Sequence, residues 1–280
     1  MRKGGAMATI EVNVKTCAHD GKCVQVCPIK ILQMNTTTRV PEFVEGGAEA
    51  CINCGHCFAV CPPGSLQLSG ADAATFPRLD HAKLPGAEAV ELFLKGRRSV
   101  RAYKEEPVSR ETMEKLIDIA RYAPSGINRQ PVNWAVIIGK DTVHDFGDLI
   151  AQWIEGLLNA NDPMAVAFRF EHLVQAWKKG EDLICRGAPC IVIAYGLKDD
   201  PMVPQSCTIA ATYLELAAAG LGLGACWAGY ASMAINASAK VREFTGLSHR
   251  AAAGGVMMIG HPKYRYSRIP ARNAARIMWK

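Results

Sequence analysis

The sequence predicts an α+β fold in two parts, on three observations. Seven of the eleven cysteines fall between Cys17 and Cys61, a stretch rich in Gly, Pro and small polar residues follows, and beyond Glu88 helical and strand patterns alternate. The boundaries read as a first domain over 8–68, a linker over 69–87 and a second domain over 88–280.

The thiols define the first domain. Cys51, Cys54, Cys57 and Cys61, followed by Pro62, give CxxCxxCxxxCP, in which three closely spaced thiolates wrap one cubane cluster and the fourth serves a neighbouring one. Structural zinc usually takes paired CxxC units across a longer loop, which this spacing lacks. The earlier set, Cys17, Cys23 and Cys27 before Pro28, has the same frame with Asp20 in the second position. Three readings stand. Asp20 binds one iron of a 4Fe-4S cluster, a 3Fe-4S cluster lacks the iron at that corner, or Asp20 only caps the turn before Gly21. His19 and His56 lie inside the loops and read as solvated or outer residues, because His ligation belongs mainly to another cluster type.

In the linker, Ser69-Gly70-Ala71-Asp72, Pro77-Arg78 and Leu84-Pro85-Gly86 interrupt any periodicity. Next, Met113, Leu116, Ile117 and Ala120 follow helical spacing, with Ser109 as N-cap, Glu111 and Glu114 near the positive end of the dipole, and Pro124 as the stop. Trp134–Ile138, Ile191–Tyr195 and Val256–Ile259 are apolar runs suited to buried strands, and Ile209–Ala219 is an apolar helix closed by Gly220. Cys185, Cys190, Cys207 and Cys226 have no ligand spacing and read as small buried hydrophobes.

Composition bounds the rest. A chain of 280 residues with 49% hydrophobic and 21% charged residues buries a sizeable core, which argues against disorder. The segment Met1–Val14 interleaves charges with short apolar stretches, so it lacks the middle region of a secretory signal and a cytoplasmic protein is expected. Leu216–Ala239 carries no charge and reaches the roughly 20 residues of a membrane span. Gly220, Gly222, Gly224 and Gly229 interrupt it, so a buried helix and loop is expected and no membrane span. The net charge of +6 comes from scattered Lys and Arg without a nucleic-acid motif, and bound anions, the clusters and a phosphate, account for it better than nucleic acid.

Alone, the run Arg97, Arg98, Ser99, Val100, Arg101 is a weak signal, equally readable as a solvated basic turn. It is followed by APSGINRQP at Ala123–Pro131, RGAP at Arg186–Pro189, LGLGACW at Leu221–Trp227 and GHPKYRYSRIPAR at Gly260–Arg272. In this order and at these separations the motifs resemble the nitroreductase family over essentially all of 88–280. The CxxDGxC form of the first cysteine motif resembles the subset of that family with an N-terminal two-cluster ferredoxin module of bacterial type.

The resemblance implies a crossed ligand set, with Cys17, Asp20, Cys23 and Cys61 on one cluster and Cys51, Cys54, Cys57 and Cys27 on the other. It also implies FMN. Arg97, Arg98 and Ser99 would hold its phosphate and ribityl, with Arg272 completing the phosphate cradle through guanidinium forks that match phosphate oxygens. Arg101 would approach the N1 and O2 side of the ring, where a fixed cation supports two-electron chemistry. Pro124, Ser125, Gly126, Asn128 and Gln130 would address the polar edge of the ring, Asn128 foremost because its amide both donates and accepts. Gly222 and Gly224 would let backbone approach N5, or else form a helix C-cap and tight turn. Between His144 and Asp182 the family shapes its substrate opening, which makes Phe168 or Phe170 a candidate over the flavin. A homodimer with flavin sites at the subunit interface is implied as well.

The expected function is oxidoreduction, with electrons passing between the two clusters and FMN to reduce a small electron-poor acceptor such as a nitroaromatic, quinone or enone. Reduced ferredoxin and NAD(P)H are the expected donors. Two alternatives stand: a redox sensor or electron-transfer module without a dedicated substrate, and a substrate oxidase exporting electrons through ferredoxin. No nucleophile, metal triad or GxGxxG fingerprint is evident, so catalytic residues reduce to those that tune the flavin, Arg101 in particular.

Overall fold

The computed structural model describes residues 7–71 and 76–280. Residues 1–6 of the opening segment and residues 72–75 of the expected linker lie outside the described residues. The chain divides into two units, Met1–Leu84 with Ile127–Arg129, and Pro85–Gly126 with Gln130–Lys280.

The first unit is built on two small antiparallel ribbons. β1 (Ile10–Val12) pairs with β4 (Leu66–Leu68), Ile10 opposite Leu68, while β2 (Leu32–Met34) pairs with β3 (Pro41–Phe43), Leu32 opposite Phe43. Single helical turns connect them: α1 (Lys22–Gln25), α2 (Gly47–Ala50) and α3 (His56–Ala59). α1 and α3 begin alike, after Gly21 at φ 67° and Gly55 at φ 73°, a left-handed conformation that a side chain resists. Each glycine directly follows the second position of its cysteine frame, so the two frames fold as copies. The core is small: Ile31, Leu32, Leu66 and Leu68 are buried with Cys27, Cys51 and Cys57. A domain of this size gains folding energy from bound metal.

In the second unit, β5 (Asn133–Ile138), β6 (Cys190–Leu197), β7 (Gly224–Trp227) and β8 (Ala251–Gly260) form an antiparallel sheet in the order β5-β6-β8-β7. Around it run α4 (Ala87–Gly96), α5 (Arg110–Ala120), α6 (Lys140–Asn159), α7 (Pro163–Ala167), α8 (Phe170–Lys178), α9 (Val203–Gly220), α10 (Gly229–Ala237) and α11 (Ala239–Phe244). Both faces of the central strands are covered. Val192, Met257 and Ile259 pack with Leu116 and Leu214, whereas Ile193, Val256 and Met258 pack with Phe146, Ile150 and Ile235. Strands buried on both faces need continuous apolar runs, which is the pattern the sequence shows.

The helix expected after Ser109 is α5, with Ser109 Oγ accepting the Thr112 N–H at 3.1 Å and the helix ending at Ala120, before Pro124. Other elements extend beyond their expected bounds. α9 starts at Val203 rather than Ile209, with Pro204 in its first turn, where a missing N–H is tolerated. β8 starts at Ala251 rather than Val256, through small residues. The uncharged Leu216–Ala239 run contains the end of α9, strand β7 and helix α10, so a strand joins the expected helix and loop. Among the described residues no helix is long and apolar enough to cross a membrane. Cys185, Cys190, Cys207 and Cys226 are all buried.

Candidate functional site

In the first unit the cysteines gather around two cavities. One is lined by Cys17, Asp20, Cys23 and Cys61, with Met34 and Leu66 in its apolar wall. The other is lined by Cys27, Cys51, Cys54 and Cys57, with Leu32 and Phe43. Each cavity takes one cysteine from the opposite frame. α1 packs against α3, so the cysteine that follows each short helix reaches the neighbouring cavity.

The donor sets fit iron–sulfur clusters. Among the described residues no three His, Cys, Asp or Glu side chains converge on a single-ion position, whereas a zinc site would need sulfurs at about 2.3 Å from one point. Four groups spaced around a cavity suit a polynuclear core in which each iron takes one of them. Electrostatics agrees. Burial, reinforced by Cys54 and Cys51, pushes the Cys57 thiol up to about 11, and burial raises Cys23 with Cys61 and Cys17 adding. Thiolates crowded in this way require a cationic centre among them. Backbone donors are in place as well: Ser65 N–H to Cys61 Sγ at 3.3 Å and Asn53 N–H to Cys51 Sγ at 3.5 Å.

Asp20 lines its cavity while both its oxygens are engaged. Lys22 Nζ stands 2.9 Å from Oδ2, and the Lys22 N–H donates to Oδ1 at 3.1 Å. These hydrogen bonds hold its carboxyl below the usual range. Capping of the turn at Gly21 and lining of the cavity therefore occur together. His19 and His56 also line the cavities, His19 with Nδ1 at 2.8 Å from the Arg39 carbonyl.

The second unit holds a larger cavity of about 330 Å³, at the lower end of the range of about 300–1,000 Å³ usual for small-molecule sites. Arg101 and Arg186 lie on its wall with Phe168, Trp227, Tyr230 and Met258. It forms where β7 ends at Trp227 and α10 begins at Gly229, a helix start whose first N–H groups have no partner within the helix. The basic run is pinned beside it: Val100 N–H donates to the Ala225 carbonyl at 2.9 Å and Tyr103 Oη–H to the Val100 carbonyl at 2.7 Å. At Gly224 a Cβ would come within 2.6 Å of Val100, so glycine is what lets β7 close onto that run.

The other expected flavin residues are distributed. Arg97 Nη1 donates to Glu215 Oε1, Arg98 Nε donates to the Arg97 carbonyl, and Ser99 hydrogen-bonds the Cys226 thiol. Pro124, Ser125 and Gln130 line a different cavity, of about 110 Å³, with Trp134 and Ser206. Ser125 Oγ accepts the Gln130 N–H at 2.9 Å, and Gly126 abuts the Met202 side chain. Asn128, which belongs to the first unit, donates from Nδ2 to the carbonyls of Ile52 at 3.2 Å and Asn53 at 2.8 Å. Gly222 makes the left-handed turn after α9. Arg272 lies in the exposed C-terminal residues, which form neither helix nor strand. Phe168 lines the Arg101 cavity, whereas Phe170 is fully buried in the core beneath it, the two rings stacked at 5.8 Å. Arg186, Trp227 and Gly229 escaped the sequence reading as site residues, although the RGAP and LGLGACW motifs contained or bordered them. Their convergence depends on loop geometry that spacing does not reveal.

Residues 9–62 match the model of the 4Fe-4S dicluster domain, and residues 94–261 match that of the nitroreductase family. Nitroreductase NfnB of Mycolicibacterium smegmatis is 43% identical over 53 residues, 19% of this chain and 23% of that protein, so the chain spans less than a quarter of that relative. A protein of Archaeoglobus fulgidus named putative NADH dehydrogenase/NAD(P)H nitroreductase is 24% identical over 173 residues, 60% of this chain and 82% of that protein. A crystal structure of a nitroreductase with bound FMN from Bacteroides fragilis matches with a TM-score of 0.57 at 19% identity, covering 68% of this chain and 98% of that one. At that identity the likeness speaks for the fold. The span 94–261 is more than half of the 280 residues, and on that match the chain belongs to the nitroreductase family, with a 4Fe-4S dicluster domain ahead of it.

Proposed function

We propose that the protein is an FMN-dependent oxidoreductase in which two iron–sulfur clusters exchange electrons with the flavin to reduce a small electron-poor acceptor, a nitroaromatic, quinone or enone. The observation that carries this reading is the Arg101 cavity at the junction of β7 and α10, in a chain that also holds two cysteine-lined cavities. When bound, FMN supplies the exchange between one-electron carriers and a two-electron substrate.

Arg101 would meet the pyrimidine edge of the flavin, and the backbone at Ala228 and Gly229 would face the ring. Arg98, Ser99 and Arg272 would hold the phosphate, and Arg97 would join them from its ion pair with Glu215. Arg101 and Ser125 line different cavities of one chain. That separation supports a homodimer in which a second copy brings its Pro124–Gln130 turn to the flavin. The cation and the apolar walls would orient the acceptor and limit water, and NAD(P)H or reduced ferredoxin would supply electrons.

Anaerobic purification with iron, sulfide and flavin quantified, followed by turnover with a panel of acceptors, tests the reading. Two clusters predict roughly seven to eight iron atoms per chain, with one FMN and multiple turnovers. Acceptor reduction that stops after one equivalent per bound FMN, with donor still in excess, would favour a sensor over an enzyme.

A further inference from the structure

We infer that Arg186 selects acceptors that carry a carboxylate, so that aromatic acids are the preferred substrate class. The inference rests on the proposed reading in which FMN occupies the cavity bearing Arg101.

The first observation is the backbone that presents Arg186. Its φ of 57°, followed by Gly187 at φ 63°, puts two consecutive residues in the left-handed region. A residue with a side chain keeps such a conformation only where its surroundings over-determine it, and such places cluster at ligand sites. Here Asp182 supplies the constraint. Its Oδ1 accepts the N–H groups of Ile184 at 2.9 Å and Cys185 at 2.7 Å, and its Oδ2 accepts that of Gly187 at 2.7 Å. Ile184 and Cys185 are buried, so the loop is clamped on both sides of Arg186. A solvated surface arginine would need none of this.

The second observation is charge. Arg186 shares the cavity with Arg101, and both guanidinium groups act on the Cys226 thiol, opposing the rise that burial imposes. Among the described residues neither arginine forms an ion pair. Two unpaired cations in one cavity repel each other until anionic groups join them. In the proposed reading the flavin edge meets Arg101, which leaves Arg186 for the second ligand. The third observation is shape: Phe168, Trp227 and Tyr230 give the cavity aromatic walls suited to a flat ring. A guanidinium fork donates two parallel N–H bonds to a carboxylate, whereas a neutral acceptor would leave the cation unmatched.

The test uses the full-length FMN-loaded protein with benzoate and its neutral isostere benzamide, neither of which is reduced. Dissociation constants are read from perturbation of the flavin absorbance at fixed ionic strength, on wild type, Arg186→Gln and Arg186→Lys. Wild type should bind benzoate at least tenfold more tightly than benzamide. Arg186→Gln should weaken benzoate by about tenfold to a hundredfold, the worth of one charge-assisted contact, and change benzamide less than twofold; Arg186→Lys should recover part of the preference. Equal weakening of both probes, or a benzoate preference that survives in Arg186→Gln, would overturn the inference. So would a loss of FMN affinity in Arg186→Gln with the preference intact, which would assign the cation to the flavin. Failure of the wild type to bind FMN would instead remove the cofactor reading, and this inference with it.

Discussion

Arg97 Nη1 stands 2.6 Å from Glu215 Oε1, joining the basic run that precedes the core to a carboxylate buried in α9. A buried carboxylate deprived of its partner costs about 3–5 kcal/mol. Arg97→Ala should therefore destabilise the FMN-free protein by about 3 kcal/mol in urea unfolding, independently of any phosphate contact. Arg98→Ala, which removes one bond to a backbone carbonyl, should cost about 1 kcal/mol. Equal unfolding midpoints for the two variants would contradict a structural role for the Arg97 pair.

The cysteine frames make a second prediction. Asp20 stands where Cys54 stands in the other frame, each directly before a left-handed glycine. Asp20→Cys should keep the fold and convert the first site to an all-thiolate four-iron one, changing the EPR spectrum of the anaerobic protein and, where the wild-type site holds three irons, adding one iron per chain. Unchanged iron content and an unchanged spectrum would take Asp20 out of the ligand set.

For the phosphate cradle, Arg272→Ala removes one proposed charge-assisted contact, worth about 1.5–3 kcal/mol or roughly tenfold to a hundredfold in affinity. The variant should release flavin on dilution, as followed by flavin fluorescence. FMN held as tightly as in wild type would exclude Arg272.

Much of the fold was legible because its signals are local. Ser109 and Pro124 bracket α5, and the apolar runs in β5, β6 and β8 mark strands covered on both faces. The missed portions obey longer-range rules. β7 is short and lies among glycines, so its sequence resembles a loop, and Gly224 is explained by the approach of Val100 from another part of the chain. The start of β8 is built from alanine and glycine, residues that carry little strand signal of their own. In the site, Arg101 stood out through its motif. Arg186 did not, because its position depends on a left-handed backbone fixed by Asp182, and such conformations leave no periodic trace in sequence.

Transfer of electrons between the clusters and the flavin is tested most directly by anaerobic stopped-flow reduction of the flavin in wild type and Cys57→Ala. Cys57 lines the cavity shared with Cys27, Cys51 and Cys54, so its loss should break that cluster. Two donors are needed: reduced ferredoxin, and a small chemical reductant that reaches the flavin directly. Electron transfer through the clusters predicts that Cys57→Ala retains FMN and its reduction by the small donor, while reduction by ferredoxin falls at least tenfold. Equal ferredoxin-driven rates per bound FMN in the two proteins would contradict it and leave the clusters as structural staples.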